Sequence, residues 1–189
     1  MVYVFLAEGF EEIEALTVVD VLRRAGVETY SVKAAVQDSA DTQELWVTGA
    51  HGMTVLADRS FDAVDPDACR MIVLPGGMPG TLHLKEHAGV TELIRKFAET
   101  EGKYIAAICA APMVLGELGI LENRRATMYP GMEDSLKGAF IMKNRVVVDE
   151  EIITSQGPGT AMEFAVELAA ILKGKENAEE LMRDLVMGR

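Results

Sequence analysis

Short apolar runs alternating with longer segments of helical periodicity most narrow the folds open to this chain. VYVFLA (2–7) precedes a stretch whose apolar residues Ala15, Val18, Val19 and Leu22 recur at i, i+3, i+4 and i+7, and Gly26 stands where that helix should end. ETYSVK (28–33) reads as a second strand, and shorter strands, MTVLA (53–57) among them, are expected between Trp46 and Ala57. MIVLPGG (71–77) is a buried strand ending in a glycine turn. The segment from Leu82 to Glu99 reads as one amphipathic helix closed by Gly102, and YIAAIC (104–109) as the next buried strand. Weaker strands follow at RATM (125–128), RVVVD (145–149) and IITSQ (152–156), the last two as a hairpin turning at Asp149–Glu150. Phe164, Leu168 and Ile171 mark a further helix, and Asn177 with Glu180 has the spacing of a capping box for one more. This β-α-β order predicts an α/β fold: a largely parallel, doubly wound sheet with helices on both faces. At 189 residues, with no repeat, low-complexity segment or linker, a single domain spanning 1–189 is expected.

Charge and cysteine usage remove several classes of function. A formal net charge of −12 disfavours nucleic acid or an anionic membrane as main partner, because phosphates would be repelled. No apolar run approaches membrane-spanning length, and the chain enters its first strand without a charged leader, so a cytoplasmic location is expected. Cys69 and Cys109 lack CxxC or zinc-ribbon spacing, which suggests neither a disulfide framework nor a structural zinc site. Cys69, just before MIVLPG, reads as structural.

The other cysteine sits differently. In YIAAICAAP (104–112) a buried strand gives way to Cys109, and Pro112 opens a helix. Ala107 and Ala111 occupy the places where the serine version of such an elbow has glycines. A thiol on that turn faces the open end of the sheet beside helix N-terminal N–H groups, and both circumstances favour the thiolate. The plainer reading is a buried cysteine acting as a small hydrophobe. The local pattern leaves both open.

In an open α/β sheet, ligands bind beyond the carboxyl ends of the strands. The segment Glu8 to Glu14, the turn Pro75 to Gly80 and the Cys109 elbow are all expected there. Glu11 and Glu12 read as solvated residues complementing the helix dipole. Glu14, flanked by Ile13 and Ala15 with Val18 one turn on, can point inward. A buried carboxyl beside a thiolate would be kept protonated and could donate to sulfur, or shuttle a proton in carbonyl chemistry. LPGGMPG (74–80) matches neither GxGxxG nor GxxxxGK[ST], which rejects a dinucleotide or Walker site. Its turn can instead bring the Gly77 N–H beside that of Ala110 as an oxyanion hole. His83 and His87 share a helical face, but without HExxH or a third ligand they read as solvated, and no metal is expected. His51 reads either as a polar site residue or as part of a surface turn.

These residues carry a resemblance. AEGFEEIEALTVVDVLRRAG (7–26), VLPGG (73–77), AAICAAP (106–112) and SQGPGTA (155–161) together make the chain similar to the ThiJ/PfpI superfamily, in the branch of the Parkinson-disease protein deglycase and bacterial YajL. The resemblance covers nearly the whole length. It implies a flavodoxin-like three-layer sandwich, usually homodimeric, with Cys109 as an oxidation-sensitive nucleophile and Glu14 as its carboxyl partner. Gly76, Gly77 and Ala110 then correspond to the surrounding backbone donors. Three departures stand out: Ala110 where the protease-like branch has His, Tyr129 where the human-type pocket has His, and His51 where relatives often have Arg. The first disfavours peptidase chemistry. The other two are expected to alter the pocket and anion recognition near the dimer interface.

The function implied is a glyoxalase or deglycase acting on small reactive carbonyls, or on early glycation adducts, without glutathione, metal or other cofactor. The alternative is an oxidative-stress sensor or redox-regulated chaperone using the same cysteine without turnover. A role in thiazole or thiamine biosynthesis finds no phosphate-binding motif to support it.

Overall fold

The apolar runs at 2–6, 71–74 and 104–108 are buried along almost their whole length because they lie side by side in the middle of one sheet. The computed structural model describes residues 1–35 and 45–187. Its strands are β1 (Val2–Leu6), β2 (Thr29–Lys33), β3 (Trp46–Thr48), β4 (Thr54–Leu56), β5 (Arg59–Ser60), β6 (Met71–Leu74), β7 (Tyr104–Ile108), β8 (Arg125–Ala126), β9 (Phe140–Ile141), β10 (Val146–Asp149) and β11 (Ile152–Ser155). The helices are α1 (Glu12–Arg24), α2 (Gly80–Glu86), α3 (Ala88–Ala98), α4 (Pro112–Glu117), α5 (Ala161–Lys173) and α6 (Lys175–Asp184). Seven strands form the main sheet in the order β10-β11-β7-β6-β1-β2-β5, parallel except for β10.

Alternation along β1 assigns each side chain to a layer. Val2, Val4 and Leu6 pack with Ala15, Val18 and Leu22 of α1 and with Phe164 and Leu168 of α5. Tyr3 and Phe5 face the other way, toward Leu84, Ile94, Phe97 and Leu115 of α2 to α4. The result is the expected flavodoxin-like three-layer α/β sandwich. Strand order reverses direction between β1 and β6, which puts the loops after β1, β6 and β7 together at one edge of the sandwich.

Helix α1 ends as Gly26 suggests. The N–H of Val27 reaches the Leu22 carbonyl and that of Gly26 the Arg23 carbonyl, with Gly26 at φ +70°, a Schellman motif. The single helix expected from Leu82 to Glu99 is instead two. His87 leaves the helical path (φ −75°, ψ 103°), and its Nδ1 accepts the Val90 N–H at 3.2 Å, so that it caps α3. The capping box at Asn177 and Glu180 does not form. Gly174, at φ +94°, ends α5 and starts α6 earlier, leaving Asn177 inside the helix with its Oδ1 buried and unpartnered.

The smaller strands follow expectation more loosely. Trp46 to Ala57 forms the antiparallel pair β3–β4, as expected. Of RATM only Arg125–Ala126 pairs, with the unforeseen β9, because the Thr127 N–H goes to Thr154 Oγ1 instead of a ladder. The β10–β11 hairpin turns one residue later than expected: Asp149 still pairs with Ile152, and Glu150 takes φ +53°. β5 was not foreseen; there the Arg59 guanidinium lies 3.6 Å from the centre of the Tyr30 ring.

Candidate active site

Cys109 occupies a backbone conformation that side chains seldom adopt, φ +63°. Three neighbouring segments hold it there. Its N–H donates to the carbonyl of Ser155, the last residue of β11 (3.0 Å), its carbonyl accepts the Tyr129 N–H (2.9 Å), and the Ala111 N–H returns to Ile108 (3.0 Å). Such strain persists where surrounding structure over-determines it, and it occurs preferentially at functional sites. The side chain is half-buried.

Glu14 comes from the first turn of α1 and is fully buried. Its Oε2 accepts the Gly76 N–H at 2.7 Å, while Oε1 accepts no hydrogen bond. The carboxyl lies in hydrogen-bonding reach of the Cys109 sulfur. Gly76 makes this approach possible: a Cβ there would sit 2.6 Å from Cys109 Cβ and 2.9 Å from Glu14 Oε2. Gly77, at φ +89°, turns the chain so that its N–H and that of Ala110 both address the sulfur. The elbow therefore gathers Cys109, Glu14, Gly76, Gly77 and Ala110 in one place. Gly76 spends its N–H on Glu14, so it serves the carboxyl and not a ligand.

Burial raises Glu14 to about 7, helped by the charge of Glu11 and opposed by the Gly76 N–H and the Cys109 thiol. Burial, the Glu14 charge and the Glu14 hydrogen bond push Cys109 up to about 12, against the N–H groups of Ala110 and Gly77. The unqualified expectation of a favoured thiolate therefore needs correcting. Beside a charged Glu14 the sulfur is a thiol. Protonating Glu14 removes the like charge and supplies a donor, two changes that move the sulfur back toward the thiolate against the burial that remains. The two groups lie close enough to titrate as a coupled pair.

Tyr129 stands at the mouth of this site, about half exposed, with its ring edge against Gly157. A Cβ on Gly157 would lie 3.2 Å from that ring and 4.0 Å from Glu14 Oε1, so the missing side chain keeps the space between them clear. Gly157 went unnoticed as a site residue, although the glycine turn SQGPG after a strand was a signal for it. Ser155 fixes that turn through its hydroxyl, 2.8 Å from the Arg145 carbonyl and 2.6 Å from Thr160 Oγ1.

The remaining polar residues divide from the elbow. His51 pairs with Glu12 (2.9 Å) and Glu11 (3.3 Å), and these carboxylates raise its pKa. Glu11 and Glu12 are themselves buried, against the expectation that they are solvated. Glu12 gains its donors from a loop some forty residues away, the N–H groups of His51 and Met53. His83 donates its Nδ1–H to the Glu8 carbonyl (2.8 Å) and His87 caps α3 against Phe61, so the two do not act as a pair. Cys69 is buried, donates to the Met71 carbonyl at 3.1 Å and is raised to about 11, chiefly by burial. No helix of the described residues is long and apolar enough to cross a membrane.

Relatives carry the same framework. Protein DJ-1 homolog B of Arabidopsis thaliana is 38% identical over 184 residues, which cover 96% of this chain but only 40% of that protein. Deglycase PfpI of Pyrococcus furiosus is 35% identical over 170 residues, 88% of this chain and 96% of that protein. The solved structure of oxidized DJ-1 from Toxoplasma gondii superposes with a TM-score of 0.90 at 35% identity, covering 100% of this chain and 98% of that one. The sequence profile of the DJ-1/PfpI family matches residues 1–171, and with the shared fold this shows that the chain belongs to the DJ-1/PfpI family.

Proposed function

We propose that this protein is a cysteine-dependent, cofactor-independent glyoxalase or deglycase acting on methylglyoxal, glyoxal or early glycation adducts. One observation carries the reading: a half-exposed thiol on a strained elbow lies against a buried carboxyl whose pKa is raised to about 7. The relative from Pyrococcus furiosus is named a deglycase, in keeping with such chemistry.

In the proposed course, Cys109 as thiolate attacks the aldehyde carbon of methylglyoxal. The carbonyl electron pair moves to oxygen, which takes the Glu14 proton, giving a hemithioacetal. The N–H groups of Gly77 and Ala110 hold the charge on sulfur before attack. Glu14, now a carboxylate, removes the proton from the former aldehyde carbon to form an enediolate; the hydroxyl proton passes from the first oxygen to the second, and Glu14 returns its proton to the neighbouring carbon. The resulting thioester is hydrolysed by water to a 2-hydroxy acid, freeing Cys109. Carbon is oxidised at one centre and reduced at the next, so no external redox partner enters. Tyr129 and Gly157 border the substrate's path to Glu14 Oε1.

The test is hydroxy-acid formation from methylglyoxal without glutathione, in the reduced protein and in Cys109→Ser. Turnover abolished by the substitution supports the reading. Absence of turnover in the natural chain refutes it. The second reading rests on the same half-exposed sulfur beside a proton-bearing carboxyl: peroxide oxidises Cys109 to a sulfinate that Glu14 holds by a hydrogen bond. Selective oxidation of Cys109 without turnover would favour it.

We also propose that the protein works as a cytoplasmic homodimer. Ile13 and Leu16 on α1 and Met53 beside β4 are exposed apolar residues suited to that contact. Sedimentation of the full chain as a monomer at micromolar concentration would overturn the assembly.

A further inference from the structure

The start of α1 and the loop between β3 and β4 bring a second chemical cluster together, distinct from the Cys109 elbow. His51 Nδ1 lies 2.9 Å from Glu12 Oε2 and 3.3 Å from Glu11 Oε2. The three potential ligand atoms all fall within 4.8 Å of one another. We propose that Glu11, Glu12 and His51 bind a divalent transition-metal ion, with zinc as the expected occupant, through His51 Nδ1 and one oxygen from each carboxylate.

Spacing is the first argument. Zinc bonds to nitrogen and oxygen of about 2.0–2.2 Å set neighbouring ligands roughly 3 Å apart at tetrahedral or octahedral angles. The two contacts of His51 already have that separation. Orientation is the second. Glu12 Oε1 is occupied by the backbone N–H groups of His51 (2.8 Å) and Met53 (3.3 Å), which aims Oε2 at the imidazole. Such outer hydrogen bonds fix a ligating carboxylate before the metal arrives.

Charge is the third argument, and it distinguishes this cluster from an ordinary surface ion pair. The side chains of Glu11 and Glu12 are 9% and 1% exposed, yet one imidazole faces both carboxylates. Its single Nδ1 proton goes to Glu12, while Glu11 keeps the longer contact of 3.3 Å to the same ring nitrogen. A dication in place of that proton serves both carboxylates at once.

Access and donor type complete the case. In the single chain the His51 side chain is 65% exposed, which leaves room for water in the remaining coordination positions. One imidazole with two carboxylates suits zinc or manganese better than calcium or magnesium, which prefer all-oxygen surroundings.

Calorimetric titration of the EDTA-stripped full chain with zinc chloride near neutral pH tests the proposal. The natural chain, Cys109→Ser and His51→Ala are compared, each checked for fold by circular dichroism. One zinc per chain is expected in the first two, with His51→Ala at least ~100-fold weaker, as loss of a direct ligand should exceed the cost of losing an outer partner. His51 is exposed, so its removal leaves the core intact; His51→Asn, which keeps a polar side chain, should lose affinity alike. Cobalt(II) in place of zinc should give no thiolate charge-transfer band. Undiminished binding by His51→Ala, loss of binding in Cys109→Ser, or no zinc uptake by the natural chain would each overturn the proposal.

Discussion

Glu12 and Glu14 stand two residues apart on one helix, both almost completely removed from solvent, and their acidities move in opposite directions. For Glu12, burial would raise the pKa, but the His51 ring and the backbone N–H groups together outweigh it and the value falls. For Glu14, burial wins. One N–H from Gly76 and a thiol do not match four donors, and the value rises to about 7. Depth therefore does not decide whether a carboxyl is charged. The number of hydrogens aimed at it does. Glu12 uses its charge to tie the β3–β4 loop to α1, whereas Glu14 is left under-satisfied, which is what a proton carrier requires.

The sharpest way to break this contrast is Glu14→Gln, which keeps shape and removes the transferable proton. Methylglyoxal turnover should fall by about 10²–10⁴-fold, the range of general acid–base catalysis. A change under tenfold would show that Glu14 does not carry the proton. Stability should move the other way. A folded pKa of about 7 against an ordinary 4.5 means that the natural chain loses stability as pH rises from 4.5 through 7. Glu14→Gln escapes this, so urea unfolding should find it more stable by on the order of 3 kcal/mol above neutrality, with the gap closing toward pH 4.5.

Gly76→Ala tests the contact itself, since its methyl group would press on both Cys109 and Glu14. A loss of about 1–3 kcal/mol in urea unfolding is expected, together with weaker reaction of Cys109 toward iodoacetamide.

Glu12→Gln should cost less, about 1 kcal/mol, because the amide still accepts from the backbone but no longer attracts His51. Its pH dependence is the sharper reading. The depressed Glu12 contributes stability above 4.5 that disappears as pH falls through its folded value. The raised His51 contributes below 6.5, and loses that contribution as pH climbs through its own folded value. The natural chain should therefore show an excess over Glu12→Gln between 4.5 and 6.5 that shrinks on either side. A constant offset would mean that the charge plays no part. Smallest of all, Cys69→Ser should leave turnover and Cys109 oxidation unchanged; loss of either would misplace the site.

What could be read from the chain depended on where the determining partners lay. The parallel core was legible because β1, β6 and β7 carry their burial in their own apolar runs, and the end of α1 because Gly26 lies beside it. Cys109 and Glu14 were legible because an elbow and an inward-facing helix position are local patterns. The break at His87 was not, since the ring bonds backbone just inside the next helix while the surrounding residues keep helical periodicity. The burial of Glu11 and Glu12 was least visible. The groups that satisfy Glu12 belong to positions 51 and 53, which carry no mark of that role. Donors contributed across forty residues leave no spacing to detect.

The pairing of Cys69 with the Met71 carbonyl has a consequence for experiment. Alkylation needs contact between reagent and sulfur, and Cys69, fully enclosed, offers none until the sandwich comes apart. Cys109, half open, is the thiol that reagent reaches in the intact protein. One mass spectrum of a timed labelling reaction thus contains two clocks. The first label counts native molecules with an accessible elbow, and the second counts molecules that have opened globally, so stability can be followed at native conditions with no added dye or denaturant.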